Sequence, residues 1–302
     1  MRRQWLAMAV LLIGVSVAEA APWMFPKGGV YAGASLLGTR SRSLFNDSTD
    51  RVRFLNNGLS RVVGVSLDGA YGVTDALTVS ATVPVLFYRL RDDLVQEEGA
   101  SLGDVRVSTR YRLINRTLAS SVEAALKFPT ATEADPARIQ VGEGQYDLDL
   151  VWSLGGRWGH LPGYASLDLG YRVRRRNGET GFKPGDEVIF RAETGYRLSD
   201  RLSAGLALDG FWGRTGNASV FNLNFRTSRS ARRLVGIVPA VIYRLTDRIG
   251  LDFRASYPVA GRNSYAGSLF TVGLSFSSSE AVASKGGAWV PTPRGGSCCR
   301  VQ

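Results

Sequence analysis

Charged side chains recur at every second position along a set of short segments: Arg106 and Arg110; Glu123 and Lys127; Asp147 and Asp149; Asp168 and Arg172; Glu187, Arg191 and Glu193; Asp209; Asp252 and Arg254. The residues between them are apolar, as Val105, Val107 and Tyr111 are around Arg106 and Arg110. A period of two sends alternate residues to opposite faces of a β-strand, so these charges share one side of a sheet. Facing water, they would form a polar pore wall that sets solute selectivity. Facing one another, they would form an interlocked salt-bridge network that fills a narrow interior and fixes strand register. Both uses fit the pattern, at different heights of one interior.

Other reactive residues are sparse. His160 is the only histidine and stands between Gly159 and Leu161 in a short polar turn. A hydrolase would want an acid–base pair beside its nucleophile or activated water, and no partner for His160 is in view, so it reads as turn decoration. Gly142–Asp147 (GEGQYD) superficially resembles a phosphate loop. A dinucleotide fingerprint follows a strand and opens a helix, whereas this stretch closes a long loop and opens a strand. Cys298 and Cys299 are adjacent, near the end of the chain, and cannot staple the fold. No catalytic residue, metal or cofactor is expected.

The elements that must carry the charges are read from punctuation. YGVTDAL from Tyr71, YRLINRTL from Tyr111, YRLSDRL from Tyr196 and YRLTDRIG from Tyr243 each place an aromatic, a short polar turn and a fresh alternating run in that order, with WGHLPGY from Trp158 as a degenerate copy. The period of about 40 residues fits one pair of strands with its loops, and by itself would also fit a propeller blade. The aromatics decide between them: Tyr71, Tyr111, Trp158, Tyr196 and Tyr243 fall on the apolar face at the turn end every time, where the interfacial girdle of a transmembrane barrel belongs.

Residues 1–20 read as a secretory signal, with Arg2 and Arg3, an apolar run from Trp5 to Val17, and Ala18-Glu19-Ala20 before the cleavage point. The apolar run is too short to span a bilayer as a helix, and no later segment is long and apolar enough to do so. Once Arg2, Arg3 and Glu19 are removed, the net charge is +10. The cations lie singly beside acids on predicted strands rather than on one basic face, which argues against nucleic acid. In the basic loop Gly213–Arg233, attraction to lipopolysaccharide phosphates is the plain reading and is favoured, and steering of anionic solutes is the sharper one.

The expected fold is all-β, a transmembrane antiparallel β-barrel of about twelve strands over residues 21–276. A disordered tail follows at 277–302, rich in Ser, Gly and Pro. Strand one is placed at Gly28–Leu37, a bulge at Pro84, a loop at Arg89–Leu102, strand eleven at Arg248–Val259, and a tenth strand, apolar on both faces, at Leu234–Leu245. Short turns and both ends of the barrel would lie on the periplasmic side. Whether Trp23–Lys27 enters the lumen is left open.

LGDVRVSTRYRL (Leu102–Leu113), LKFPTA (Leu126–Ala131), GEGQYDLDL (Gly142–Leu150), LDLGYRV (Leu167–Val173) and GDEVIFRAETGYRLSDRLSAGLAL (Gly185–Leu208) together resemble the MetA-pathway-of-phenol-degradation family of outer-membrane transporters, over roughly residues 60–276. The resemblance implies a bacterial outer-membrane barrel associated with uptake of small, often aromatic, compounds. It brings no binding residues to carry over. The expectation is a passive channel for small molecules, with outer-membrane lipid, lipopolysaccharide and a small solute as partners. A closed structural or surface-interaction barrel is the alternative, and a barrel enzyme comes third.

Overall fold

The computed structural model describes residues 22–94, 96–130, 144–178, 183–216, 231–278, 281–282 and 290–291. The predicted signal segment and most of the predicted tail lie outside the described residues. Twelve long strands make up the chain: β1 Val30–Ser41, β2 Leu59–Thr74, β3 Leu77–Arg91, β4 Val105–Asn115, β5 Leu118–Phe128, β6 Asp147–Arg157, β7 Gly163–Arg174, β8 Glu187–Arg197, β9 Leu202–Gly213, β10 Arg233–Arg244, β11 Ile249–Arg262 and β12 Ser268–Ser277. Each pairs antiparallel with its sequence neighbours, and β12 returns to β1, with Tyr31 opposite Ser277 and Arg40 opposite Ser268. The sheet closes and its backbone donors find partners in the wall, the condition for strands to cross a bilayer.

Alternation then sorts the side chains. Leu36, Leu67, Leu126, Leu150, Val188, Leu208, Phe253 and Leu274 point away from the barrel axis and are exposed, while Asp147, Glu187 and Asp252 on the other face are buried. This inverts a soluble protein, with an apolar outer belt that fits lipid around a polar interior.

Tight turns join the strands at one end and long connections at the other. The repeated Ser-Asp-Arg and Thr-Asp-Arg motifs build one turn twice. Ser199 Oγ accepts the amides of Leu202 (3.1 Å) and Arg201 (3.4 Å), and Thr246 Oγ1 accepts those of Ile249 (3.0 Å) and Arg248 (3.2 Å). Thr74 Oγ1 does the same for the amide of Ala76 at 3.1 Å. A hydroxyl that takes over turn amides in this way lets the strand reverse without leaving a donor unpaired.

Several boundaries differ from the sequence reading. β1 runs on to Ser41 and β11 to Arg262. The expected loop Arg89–Leu102 is a hairpin: β3 continues to Arg91 and pairs back with a strand at Gln96–Leu102. Its outward residues towards the tip are charged rather than apolar, Arg89 standing 2.6 Å from Glu98, so hydrophobic alternation could not reveal it. The irregularity expected at Pro84 falls on one edge only. Towards β2 the register is unbroken through Ser66 and Pro84. On the other edge the partner changes from β4, with Thr82 opposite Arg106, to the added strand, with Val85 opposite Leu102. The missing amide of Pro84 thus sits at a break in one ladder, where a proline is tolerated. A second hairpin, Ser43–Phe45 with Arg51–Arg53, rises from the β1–β2 connection and pairs with Ser264–Tyr265. Ser277 closes β12, and beyond it Ala281–Val282 pairs with Val290–Pro291.

Replacing Ser199 and Thr246 together by Ala should lower stability in detergent by about 1 kcal/mol per turn, the scale of a lost net hydrogen bond. Guanidinium-induced unfolding would show this as a lower midpoint with secondary structure intact beforehand. An unchanged midpoint would mean that the hydroxyls are dispensable to the turns.

Candidate functional site: the lumen

The fourteen charged residues singled out by alternation all fall on the inward parity of their strands. Near the long-loop end they make a chain of ion pairs that crosses from β4 to β10. Lys127 Nζ lies 3.0 Å from Asp104 and 2.8 Å from Asp147. Arg174 links Asp147 (3.5 Å) to Glu187 (3.0 Å), and Arg232 Nη2 meets the same Glu187 oxygen at 2.5 Å. A second tier lies beneath. Glu123 takes Arg106 at 2.8 Å and Arg110 at 2.6 Å, Arg106 leans to Asp149 at 3.6 Å, and Arg172 joins Asp149 (2.7 Å) to Glu187 (3.4 Å). Glu187 is therefore a hub for three guanidiniums and is only 1% exposed. Arginine suits this place because its planar fork serves two carboxylates at once.

Deeper in the barrel the chemistry is more dispersed. Arg191 pairs with Glu193 at 2.6 Å and Asp209 at 3.2 Å, and Glu193 also accepts the Tyr164 hydroxyl. Arg254 reaches Asp252 on its own strand at 3.4 Å, and Asp168 is buried on β7 away from the upper chain. On the β2–β3 side, Asp68 accepts hydrogen bonds from Thr82 (2.8 Å) and Ser66 (3.3 Å). Outside the membrane-spanning part, Asp47 in the β1–β2 connection receives bonds from Asn263 and Arg262, which hold its carboxyl below the ordinary aspartate range.

One sector of the interior is apolar. Ala207 and Phe211 of β9 and Leu234 and Val238 of β10 are buried on the inner face, with Ile242 further along. Phe45 from the inserted hairpin and Ala266 from the β11–β12 connection pack with Phe211 and Leu234, and Ile189 borders them. Arg232 lies over the Phe211 ring, 4.9 Å from its centroid, where the charged and apolar sectors meet. The two-sided apolar character of β10 was legible in the sequence. Phe45 was not, because a lone aromatic in a polar loop carries no periodic signal.

At the short-turn end the chain before β1 lies across the mouth. The Gly28 amide donates to Gly72 and the Gly72 amide to Gly29, both at 2.8 Å, which anchors one end of the segment on β2. Phe25 then stacks on Tyr31 at 5.7 Å beside Ala70. Met24 is 2% exposed. Trp23 meets the edge of Tyr164 on β7 at 5.3 Å, and Pro22 sits against Gly155 on β6, where a Cβ would come within 2.9 Å of the proline ring. In a twelve-strand ring β2 and β6–β7 are nearly opposite, so Pro22–Lys27 straps the barrel across its width. The sequence leaves the place of Trp23–Lys27 open, because five residues are too few to show a period.

Tyr71, Tyr111, Trp158, Tyr196 and Tyr243 stand outside the wall at this end, each half exposed or nearly so. His160 is exposed in the β6–β7 turn. Most of the basic loop assigned to lipopolysaccharide, residues 217–230, lies outside the described residues. Of its described cations, Arg232 is spent on Glu187 and Arg233 lies 4.0 Å over the Trp212 ring, while Arg214 is exposed.

A closed, twelve-stranded antiparallel wall with lipid-facing apolar residues and a polar interior makes this chain an outer-membrane β-barrel. The family model described as the MetA-pathway of phenol degradation matches residues 48–274, and the chain belongs to that family. Among solved structures it is similar to an outer-membrane channel from Pseudomonas putida F1, with 15% identity and a TM-score of 0.69 over 87% of this chain and 100% of that one. It is also similar to the NanC porin (10% identity, TM-score 0.49, 81% and 98% of the two chains). A third match is the Ralstonia pickettii toluene transporter TbuX (11%, 0.42, 85% and 90%). None of the curated protein sequences matches the chain.

Replacing Glu187 by Gln strands Arg172, Arg174 and Arg232 around a neutral amide. Breaking a buried pair from one side typically costs about 3–5 kcal/mol, so denaturant midpoints in micelles should fall sharply. A change within the error of measurement would mean that the hub is solvated in practice.

Proposed function

We propose that the barrel is a passive uptake channel for small, weakly polar solutes, aromatic compounds among them. The observation that carries this reading is the division of the lumen. Its charged sector is bound up in ion pairs and offers little free charge to an ion, while β9–β10 line one side with Val238 and Ile242, above which Phe211 and Leu234 pack with Phe45. Planar apolar solutes gain from such a surface through area removed from water, roughly 25 cal/mol per Å². The paired charges opposite supply polar contacts for a hydroxyl or carbonyl. In this reading the fourteen lumenal charges line the pathway, and the five turn-end aromatics anchor the barrel at the periplasmic interface. Lipopolysaccharide is the outer-leaflet partner.

The closed-barrel alternative has one specific observation in its favour, the strap across the periplasmic mouth. A variant lacking residues 22–27 separates the two readings. As a channel gated by the strap, it should show several-fold larger ion conductance in planar bilayers than the intact protein. A deletion that folds and stays as silent as the parent would leave a structural barrel as the better account.

Substituting Val238→Asp and Ile242→Asp places charge on the apolar side. Uptake of a small aromatic hydrocarbon into proteoliposomes should drop at least several-fold, with conductance for salt kept or raised. Hydrocarbon uptake equal to that of the parent would remove the apolar sector from the pathway.

A further inference from the structure

The outer wall of β1–β3 carries an arrangement that the solute pathway does not use. Arg40 is directly opposite Arg61, and Arg61 is directly opposite Arg89. All three point outward and are exposed. Side chains so paired have Cβ atoms only about 5 Å apart, and like charges in that relation destabilise a sheet. The acid in the same row is Glu98 on the added strand, and it is taken up by Arg89 at 2.6 Å. Among the described residues, Arg40 and Arg61 have no ion-pair partner.

Their height on the wall is informative. On β2, Tyr71 of the periplasmic aromatic set and Arg61 are ten residues apart, roughly 34 Å along a strand. At the usual tilt of such strands this is roughly 25 Å across the membrane, the height of the apolar band. Between the two ends the outward positions of β1–β3 are apolar, ending in the row Gly38, Val63 and Phe87 immediately beneath the arginines. The arginines therefore stand at the level of outer-leaflet head groups. The next outward row down, Leu36, Val65 and Val85, lies side by side in register and continues the apolar surface on which acyl chains can lie.

We propose that Arg40, Arg61 and Arg89 form a binding row for the phosphates of an outer-leaflet glycolipid, lipid A, with its acyl chains against the two apolar rows immediately below. Guanidinium forks bind phosphate bidentately, and two phosphates on one disaccharide would neutralise the row that the sheet alone leaves repelling. This site is separate from the lumen and does not depend on what the barrel conducts.

The test uses the full-length protein refolded in a zwitterionic detergent. Bisphosphorylated lipid A should raise the unfolding temperature and appear as a bound adduct in native mass spectrometry. Phosphatidylglycerol and inorganic phosphate at equal phosphate concentration should do so at least tenfold more weakly. The double variant Arg40→Gln/Arg61→Gln should lose at least tenfold in lipid A affinity, while being as stable as the parent, or more so, without lipid. Arg116→Gln, at the opposite end of the barrel, should bind as the parent does. Retained lipid A binding in the double variant, equal binding of phosphatidylglycerol or phosphate, or a double variant that is destabilised without lipid would each overturn the assignment.

Discussion

Inside a bilayer a strand cannot leave its amides unpaired, and the pairing of β12 with β1 is what lets this chain satisfy that demand. Once the ring is shut, side-chain alternation has only two destinations. Residues of one parity meet lipid, and residues of the other meet an interior narrow enough to bury Asp147 and Glu187 almost completely. The apolar exterior and the ion-paired interior are thus one consequence of closure. A slip of one residue in any ladder would exchange them along that strand.

Burying carboxylates is costly unless each finds a cation with good geometry. The upper lumen meets this cost by sharing. Glu187 serves three arginines, and Arg174 and Arg172 each bridge two acids. The network ties β4 through β8 together from inside, across strands that the backbone ladder connects only pairwise, and takes in Arg232 just before β10. Where the network ends, at β9–β10, apolar side chains and the inserted Phe45 fill the space instead. One wall is therefore stiffened by shared ion pairs and the β9–β10 side mainly by packing.

Most of the architecture was legible because the outer belt forces a strict period of two and the turns reuse one motif. Twelve strands, their order and the shared parity of the lumenal charges all follow from those two regularities. The parts that escaped lie beyond the membrane band, where the rule that makes alternation visible no longer applies. The β3 extension has Arg89 and Arg91 where lipid would demand apolar residues, so it read as a loop. Pro22–Lys27 is irregular chain whose place is set by contacts with Gly72, Gly155 and Tyr164, all distant in sequence. The partners of Arg232 could not be inferred either, since Glu187 is forty-five residues away and on another strand.

The strap also bears on how the barrel is made. Eleven of the twelve ladders join strands adjacent in sequence and can form as hairpins with little loop entropy, whereas the β1–β12 seam must bring together segments more than two hundred residues apart. The strap leads directly into β1, one side of that seam, and ends against β6 and β7. It therefore ties a strand of the seam to the far side of the ring by contacts that bypass the ladders, so the one closure with a large loop cost has a second attachment outside the sheet.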